Sequence, residues 1–166
     1  MSVKTKKGIF YLLVCCLALE NCEEKVSPVC CLNENTYAEI HLINKGGEDL
    51  LDPKTIGAIS IRDVKLFYLI DGVKKPYYEI VDHPQALKID KYLQDQYYFI
   101  GIILNHQREA DESISHFEIT GLRTDTLRSH FQTADPSILT IDKVWLNDHL
   151  AWSGGATERA IDIIIE

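Results

Sequence analysis

The chain predicts an all-β fold, a two-sheet antiparallel sandwich, on three observations. From Tyr37 onward, short runs rich in β-branched and aromatic residues are separated by Gly, Asp, Asn and Pro, the grammar of strands and turns. No segment sustains a helical period over three turns. About nine such runs fit into roughly 130 residues, the regular spacing of a sandwich.

Taken in order, YAEIHLIN (residues 37–44) alternates, with Ala38, Ile40 and Leu42 on one face. A loop follows, broken by Gly46-Gly47 and by Asp52-Pro53. DVKLFYLI and VKKPYYEIV flank Asp71-Gly72, and Asp-Gly between two such runs predicts a hairpin, because a type I′ turn needs positive φ at both central positions. Pro76 assigns the second arm to a sheet edge or a bulge, since it lacks the N–H a central strand would use. QYYFIGIILN (residues 96–105) has few polar breaks and reads as a central strand buried on both faces. HFEITGL and DTLRSHFQ are two more strands around residues 121–125, and LTIDKVWLNDHLAW is a second hairpin turning at Asn147-Asp148. RAIDIIIE is the last strand.

Ahead of this domain stands a different kind of segment. Lys4, Lys6 and Lys7 precede Ile9 to Leu19, an uncharged apolar run of 11 residues. As a helix the run reaches only about 16 Å, against a hydrocarbon core of about 30 Å, so it is too short to span. It has the shape of a signal sequence. Leu19-Glu20-Asn21-Cys22 then resembles the lipobox of bacterial lipoproteins, although Glu20 and Asn21 stand where small residues are usual. The resemblance implies cleavage before Cys22 and acylation of that cysteine. Cys15 and Cys16 are rival positions, but cutting at Cys16 leaves an apolar core of about six residues, shorter than the usual ~7 to 15.

Glu23 and Glu24, directly after Cys22, are similar to the acidic export signal of Bacteroidetes surface lipoproteins, which implies an outer-membrane anchor facing the cell surface, with the periplasmic face as the alternative. The segments NKGGEDLLDP, DVKLFYLIDGVKKPYYE and DKVWLNDHLAW also resemble small Bacteroidetes lipoproteins of unknown function with an Ig-like β-sandwich of about 7–9 strands. That family carries no known activity, so it implies fold and location only. The expected organisation is a signal peptide over residues 1–21, a flexible tether over 22–36 and a sandwich over 37–166.

Without residues 1–21 the chain loses three lysines and Glu20, leaving 14 basic and 24 acidic residues, a formal charge of −10. Nucleic acid is therefore not an expected partner, since its phosphates need clustered Lys and Arg. Membrane attachment through the lipid anchor is expected instead. Cys30 and Cys31 are adjacent and make no disulfide framework.

Chemistry-bearing motifs are sparse. The six histidines lack the spacing that sets two on one metal, and His106, Asp111, Glu112 and His116 read as a solvated loop more readily than as a divalent-ion site. Asp49 and Asp52 could ligate Ca²⁺ with loop carbonyls, and Asp125 between two threonines could mark a polar site; an ordinary loop and an ordinary turn explain each. No G-x-S-x-G elbow, P-loop or G-x-G-x-x-G occurs. No catalytic residue, metal or cofactor is assigned.

Aromatic residues carry the stronger signal. Adjacent pairs such as Tyr97 and Tyr98 must point to opposite faces, so that one member can be left outside to grip a sugar ring or a protein. Trp145 and Trp152, on the arms of the late hairpin, are the first candidate binding residues, one facing the core and one facing solvent. The reading is a non-catalytic binding module for a glycan or an envelope protein; a structural or inhibitor-like envelope lipoprotein and, further off, a small hydrolase are the alternatives.

Overall fold

The computed structural model describes residues 33–77, 87–107, 111–132, 138–154 and 159–166; Cys22, Glu23, Glu24, Cys30 and Cys31 lie outside them. The described residues form 11 strands: β1 (Asn33–Asn35), β2 (Tyr37–Asn44), β3 (Val64–Ile70), β4 (Val73–Pro76), β5 (Lys88–Asp90), β6 (Phe99–Ile103), β7 (Glu112–Ile119), β8 (Arg123–Gln132), β9 (Ile138–Leu146), β10 (His149–Ser153) and β11 (Ala160–Ile165). The larger sheet has the order β1-β9-β8-β7-β3-β4, with β10 also on β9; the smaller has the order β11-β2-β6-β5. The all-β sandwich holds, with β6 in the interior of its sheet.

Three features depart from the expectation. β1 and β5 are strands of three residues, too short to show an alternating pattern. β1 lies in what reads as tether, yet it pairs with β9 from Asn33 to Asn35, and Thr36 beside it is buried. β1 and β11 also pair in parallel, on β9 and β2 respectively, because each reaches its neighbour through a long excursion of the chain rather than a tight turn.

The alternation decides which side chains meet. Ile40, Leu42, Ile100, Ile102, Ile161 and Ile163 line the inner face of the smaller sheet. They share one core with Tyr68, Phe117, Leu127, Phe131 and Ile141 of the larger sheet. Both predicted hairpins form with positive φ at both central residues, Asp71 at 52° and Gly72 at 71°, Asn147 at 48° and Asp148 at 68°.

Two polar seams join the sheets. Just beyond β6 the chain leaves the smaller sheet, and the fully buried Asn105 bonds to the larger one: its Nδ2 donates to Leu69 O (3.0 Å) and Ile114 O (3.2 Å), while its backbone N–H donates to Ser115 Oγ (2.9 Å). Next to it, the Tyr68 hydroxyl donates to Ile103 O at 2.7 Å, again from one sheet to the other. At the opposite end of β3 and β7, Arg123 pairs with Asp125 and donates to Ile164 O of β11 at 2.7 Å. Asn147 completes that clip, its Nδ2 donating to Asp125 Oδ1 (2.6 Å) and its Oδ1 accepting from Thr126 N (2.9 Å).

Removing these groups strands buried partners. Asn105→Ala is expected to lower stability by about 2 to 4 kcal/mol and Tyr68→Phe by about 1 to 2 kcal/mol, with the m-value unchanged, in urea titrations followed by circular dichroism. An Asn105 variant as stable as the parent would show that the seam is dispensable.

Candidate functional site

The smaller sheet turns a second face outward. On β2 the residues between the buried ones are Tyr37, Glu39 and His41, spread over about 13 Å of strand. Opposite Glu39 on β6 stands Gly101, and the Tyr37 ring lies over it: a Cβ at Gly101 would sit 2.7 Å from the phenol oxygen and 2.9 Å from a ring carbon. Glycine here is a requirement of the tyrosine.

The segment after β5 folds back as a wall. Asp95 N donates to Tyr92 O (3.1 Å), Lys91 Nζ to Gln96 O (2.9 Å), and Tyr98 N to Asp49 Oδ2 (2.7 Å), which ties this wall to the loop after β2. Tyr92 stacks on Phe99, with centroids 4.8 Å apart, and presents its hydroxyl to Glu39 Oε1 at 2.9 Å. Tyr97 leans on His41 at 5.7 Å between centroids, and its hydroxyl accepts from Gln96 Nε2 at 3.0 Å. His41 Nδ1 is held 2.8 Å from Asp162 of β11, which fixes the imidazole in place.

These parts enclose an open groove of about 620 Å³, lined by Tyr37, Glu39, His41, Tyr92, Tyr97 and Arg159 together with Asp95, Gln94, Gln96 and Ala160. Its size is that of a small-molecule site. Burial and then the Glu39 carboxylate push the Tyr37 phenol well above its ordinary range; the hydrogen bond to Glu39 and then its charge raise that of Tyr92. Both phenols therefore stay protonated at neutral pH and serve as hydroxyl donors and flat apolar surfaces.

The sequence candidates fall elsewhere. Trp145 pairs with Leu150 and Trp152 with Val144, so the two rings take opposite faces across the hairpin's bulge. Trp152 is in the core, under the Arg159 guanidinium at 5.1 Å. Trp145 faces outward but is half covered by Arg128, whose guanidinium lies 4.0 Å above the ring and pairs with Glu112 at 2.7 Å. Asp125 is buried in the clip described above. Asp49 spends both oxygens on the N–H groups of Leu51 and Tyr98, and Asp52 accepts from Lys54 N. Glu112 and His116 are four apart along β7, about 13 Å, too far to share an ion. Among the described residues, no group of three or more His, Cys, Asp or Glu could hold a metal.

Of the groove residues, only Tyr92 and Tyr97 carry a sequence signal as aromatics. Tyr37, Glu39 and His41 look like any polar strand face. The signal present was the alternation itself, which puts a ring, a carboxylate and an imidazole on one side of a strand whose other side is aliphatic.

Three outcomes are expected. Gly101→Ala forces the Tyr37 ring off β6 and lowers the melting temperature, and Gly101→Ala with Tyr37→Ala restores part of the loss. Trp152→Ala costs about 3 to 5 kcal/mol in denaturant titrations, and Trp145→Ala much less. His116, whose imidazole is held below its ordinary range by burial and then by Lys74, folds as the neutral ring. Its contribution is thus complete above the unfolded pKa of about 6.5 and is lost as pH falls below it, so melts recorded from pH 8 down to 5 should drop less steeply for His116→Gln.

No family model, curated protein or solved structure matches this chain.

Proposed function

We propose that the chain is a lipid-anchored, non-catalytic binding module that holds a glycan in the tyrosine-lined groove of the smaller sheet, at the bacterial outer membrane. The observation that carries this reading is the convergence of Tyr37, Tyr92 and Tyr97 with Glu39, Asp95, Gln94 and Gln96 in one open groove. Flat rings pack against the apolar faces of a sugar, and carboxylates and amides hydrogen-bond its hydroxyls.

Binding rather than turnover is supported by the chemistry of the lining. None of the described lining residues is Ser, Thr or Cys, and Tyr37 and Tyr92 are pushed away from the phenolate that a nucleophile would need. The anchor rests on Cys22 and the acidic pair Glu23-Glu24, whose resemblance to surface lipoproteins supports display outward, where glycans are met.

Titration of the full chain against a panel of neutral, N-acetylated and aminated oligosaccharides tests the reading. Tyr92→Ala and Tyr97→Ala are each expected to weaken the best ligand by about 2 kcal/mol, while Trp145→Ala leaves affinity unchanged. Loss of binding in Trp145→Ala with the tyrosine variants unaffected would move the site to the late hairpin. Separately, mass spectrometry of the mature amino terminus should find an acylated Cys22, and Cys22→Ala should shift the protein to the soluble fraction.

A further inference from the structure

We propose that residues 91–98 form a hinged wall latched by the Tyr92 hydroxyl on Glu39, and that a ligand of the groove binds by releasing this latch. The ligand half of the inference rests on the glycan reading of the groove; the latch half stands on the wall itself.

The base of the wall is fixed and its tip is not. Asp90 pairs with Phe99, so the chain leaves and re-enters the smaller sheet side by side. At that base Lys91 N donates to Asp90 Oδ1 (2.8 Å), and Lys91 Nζ donates to Gln96 O (2.9 Å) with the Tyr98 ring 4.8 Å away. Tyr98 N donates to Asp49 Oδ2 at 2.7 Å. The bonds from Asp95 N to Tyr92 O and from Gln96 Nε2 to the Tyr97 hydroxyl stay inside the segment. Close ends and internal bonds make it a compact loop, able to move as one body about its base. At the tip Leu93 is wholly exposed and Tyr92 half exposed, so neither is held by packing on its outer side.

Among the described residues, one hydrogen bond reaches from this wall to the strand below: the Tyr92 hydroxyl donates to Glu39 Oε1 at 2.9 Å. The rings of Tyr92 on Phe99 and of Tyr97 on His41 add contacts without that directionality. The hydrogen bond to Glu39 and then its charge raise the Tyr92 phenol, which therefore keeps the proton the latch needs. Glu39 stands in mid-floor, between Tyr37 and His41 on β2, and its Oε1 is already filled by the phenol. A sugar hydroxyl is the same kind of donor, so it takes that oxygen by displacing the phenol. Once displaced, Tyr92 no longer ties the wall to β2, and the groove widens about its base. The hydroxyl of Tyr92 thus opposes binding while its ring favours it.

Tyr92→Phe separates the two effects, because it keeps the ring and removes the hydroxyl. Hydrogen exchange of the full chain without ligand, read by mass spectrometry, should show residues 92–97 exchanging at least threefold faster in Tyr92→Phe and in Glu39→Ala. The double variant should add no further acceleration, and β2 and β6 should be unchanged in Tyr92→Phe. In calorimetric titrations with cellotetraose and the N-acetylglucosamine tetramer, Tyr92→Phe should bind the better of the two about two- to tenfold tighter than the parent, while Tyr92→Ala binds it more weakly. Unchanged exchange at residues 92–97 in Tyr92→Phe, or acceleration that spreads over β2 and β6, overturns the latch. Faster exchange with affinity equal to or below that of the parent overturns the inference and leaves the groove reading standing. Absence of binding of both tetramers to the parent and to Tyr92→Phe overturns the glycan reading and with it the ligand half; the exchange result alone then decides the latch.

Discussion

The passage of the chain from β6 into the larger sheet is the constraint on which the rest depends. Two sheets can slide over an aliphatic core at little cost, because dispersion contacts are numerous and non-directional. Hydrogen bonds from Asn105 to Leu69 O and Ile114 O, and from Tyr68 to Ile103 O, remove that freedom, since each has a narrow range of distance and angle. Their burial makes a missing bond expensive, so one register of sheet on sheet is strongly preferred. The Arg123–Asp125–Asn147 clip fixes the other end of the same pair of strands. With both ends pinned, the outer face of the smaller sheet becomes a stable platform.

The groove inherits its shape from that platform rather than from its own contacts. Tyr37, Glu39 and His41 are spaced by the pleat of β2, and Gly101 lets the first of them lie flat. The opposite wall is a loop, held by Asp49 from one side and by the stack of Tyr92 on Phe99 from another. Among the described residues the outward aromatics of the larger sheet, Phe67 and Trp145, lie beneath Lys74 and Arg128.

Much of the fold was legible in the residues. Alternation at Ala38, Ile40 and Leu42, the Asp71-Gly72 and Asn147-Asp148 turns, and the unbroken apolar run of β6 each express a local rule that the tertiary structure respects. What was not legible is non-local. The direction in which β11 pairs with β2 leaves no trace in side-chain alternation, which is the same for parallel and antiparallel neighbours. β1 and β5 are too short to carry a period. The tryptophan pair could be assigned to opposite faces but not ranked by exposure, and Arg128 covering Trp145 comes from another strand. The groove was hidden because its members lie on β2, on the segment after β5 and beside β11, and only folding collects them.

That dispersal has a kinetic side. His41 meets Asp162, and Glu39 N meets Arg159 O, across some 120 positions of sequence. Closing so long a loop is entropically costly and comes late in the assembly of a β protein. Until β11 has docked, His41 lacks its anchor, the groove lacks Arg159 and Ala160, and Ile161, Ile163 and Ile165 are missing from the core. Site formation is thus coupled to completion of the fold: a chain that has not yet paired β11 with β2 presents the tyrosines but not the groove they line.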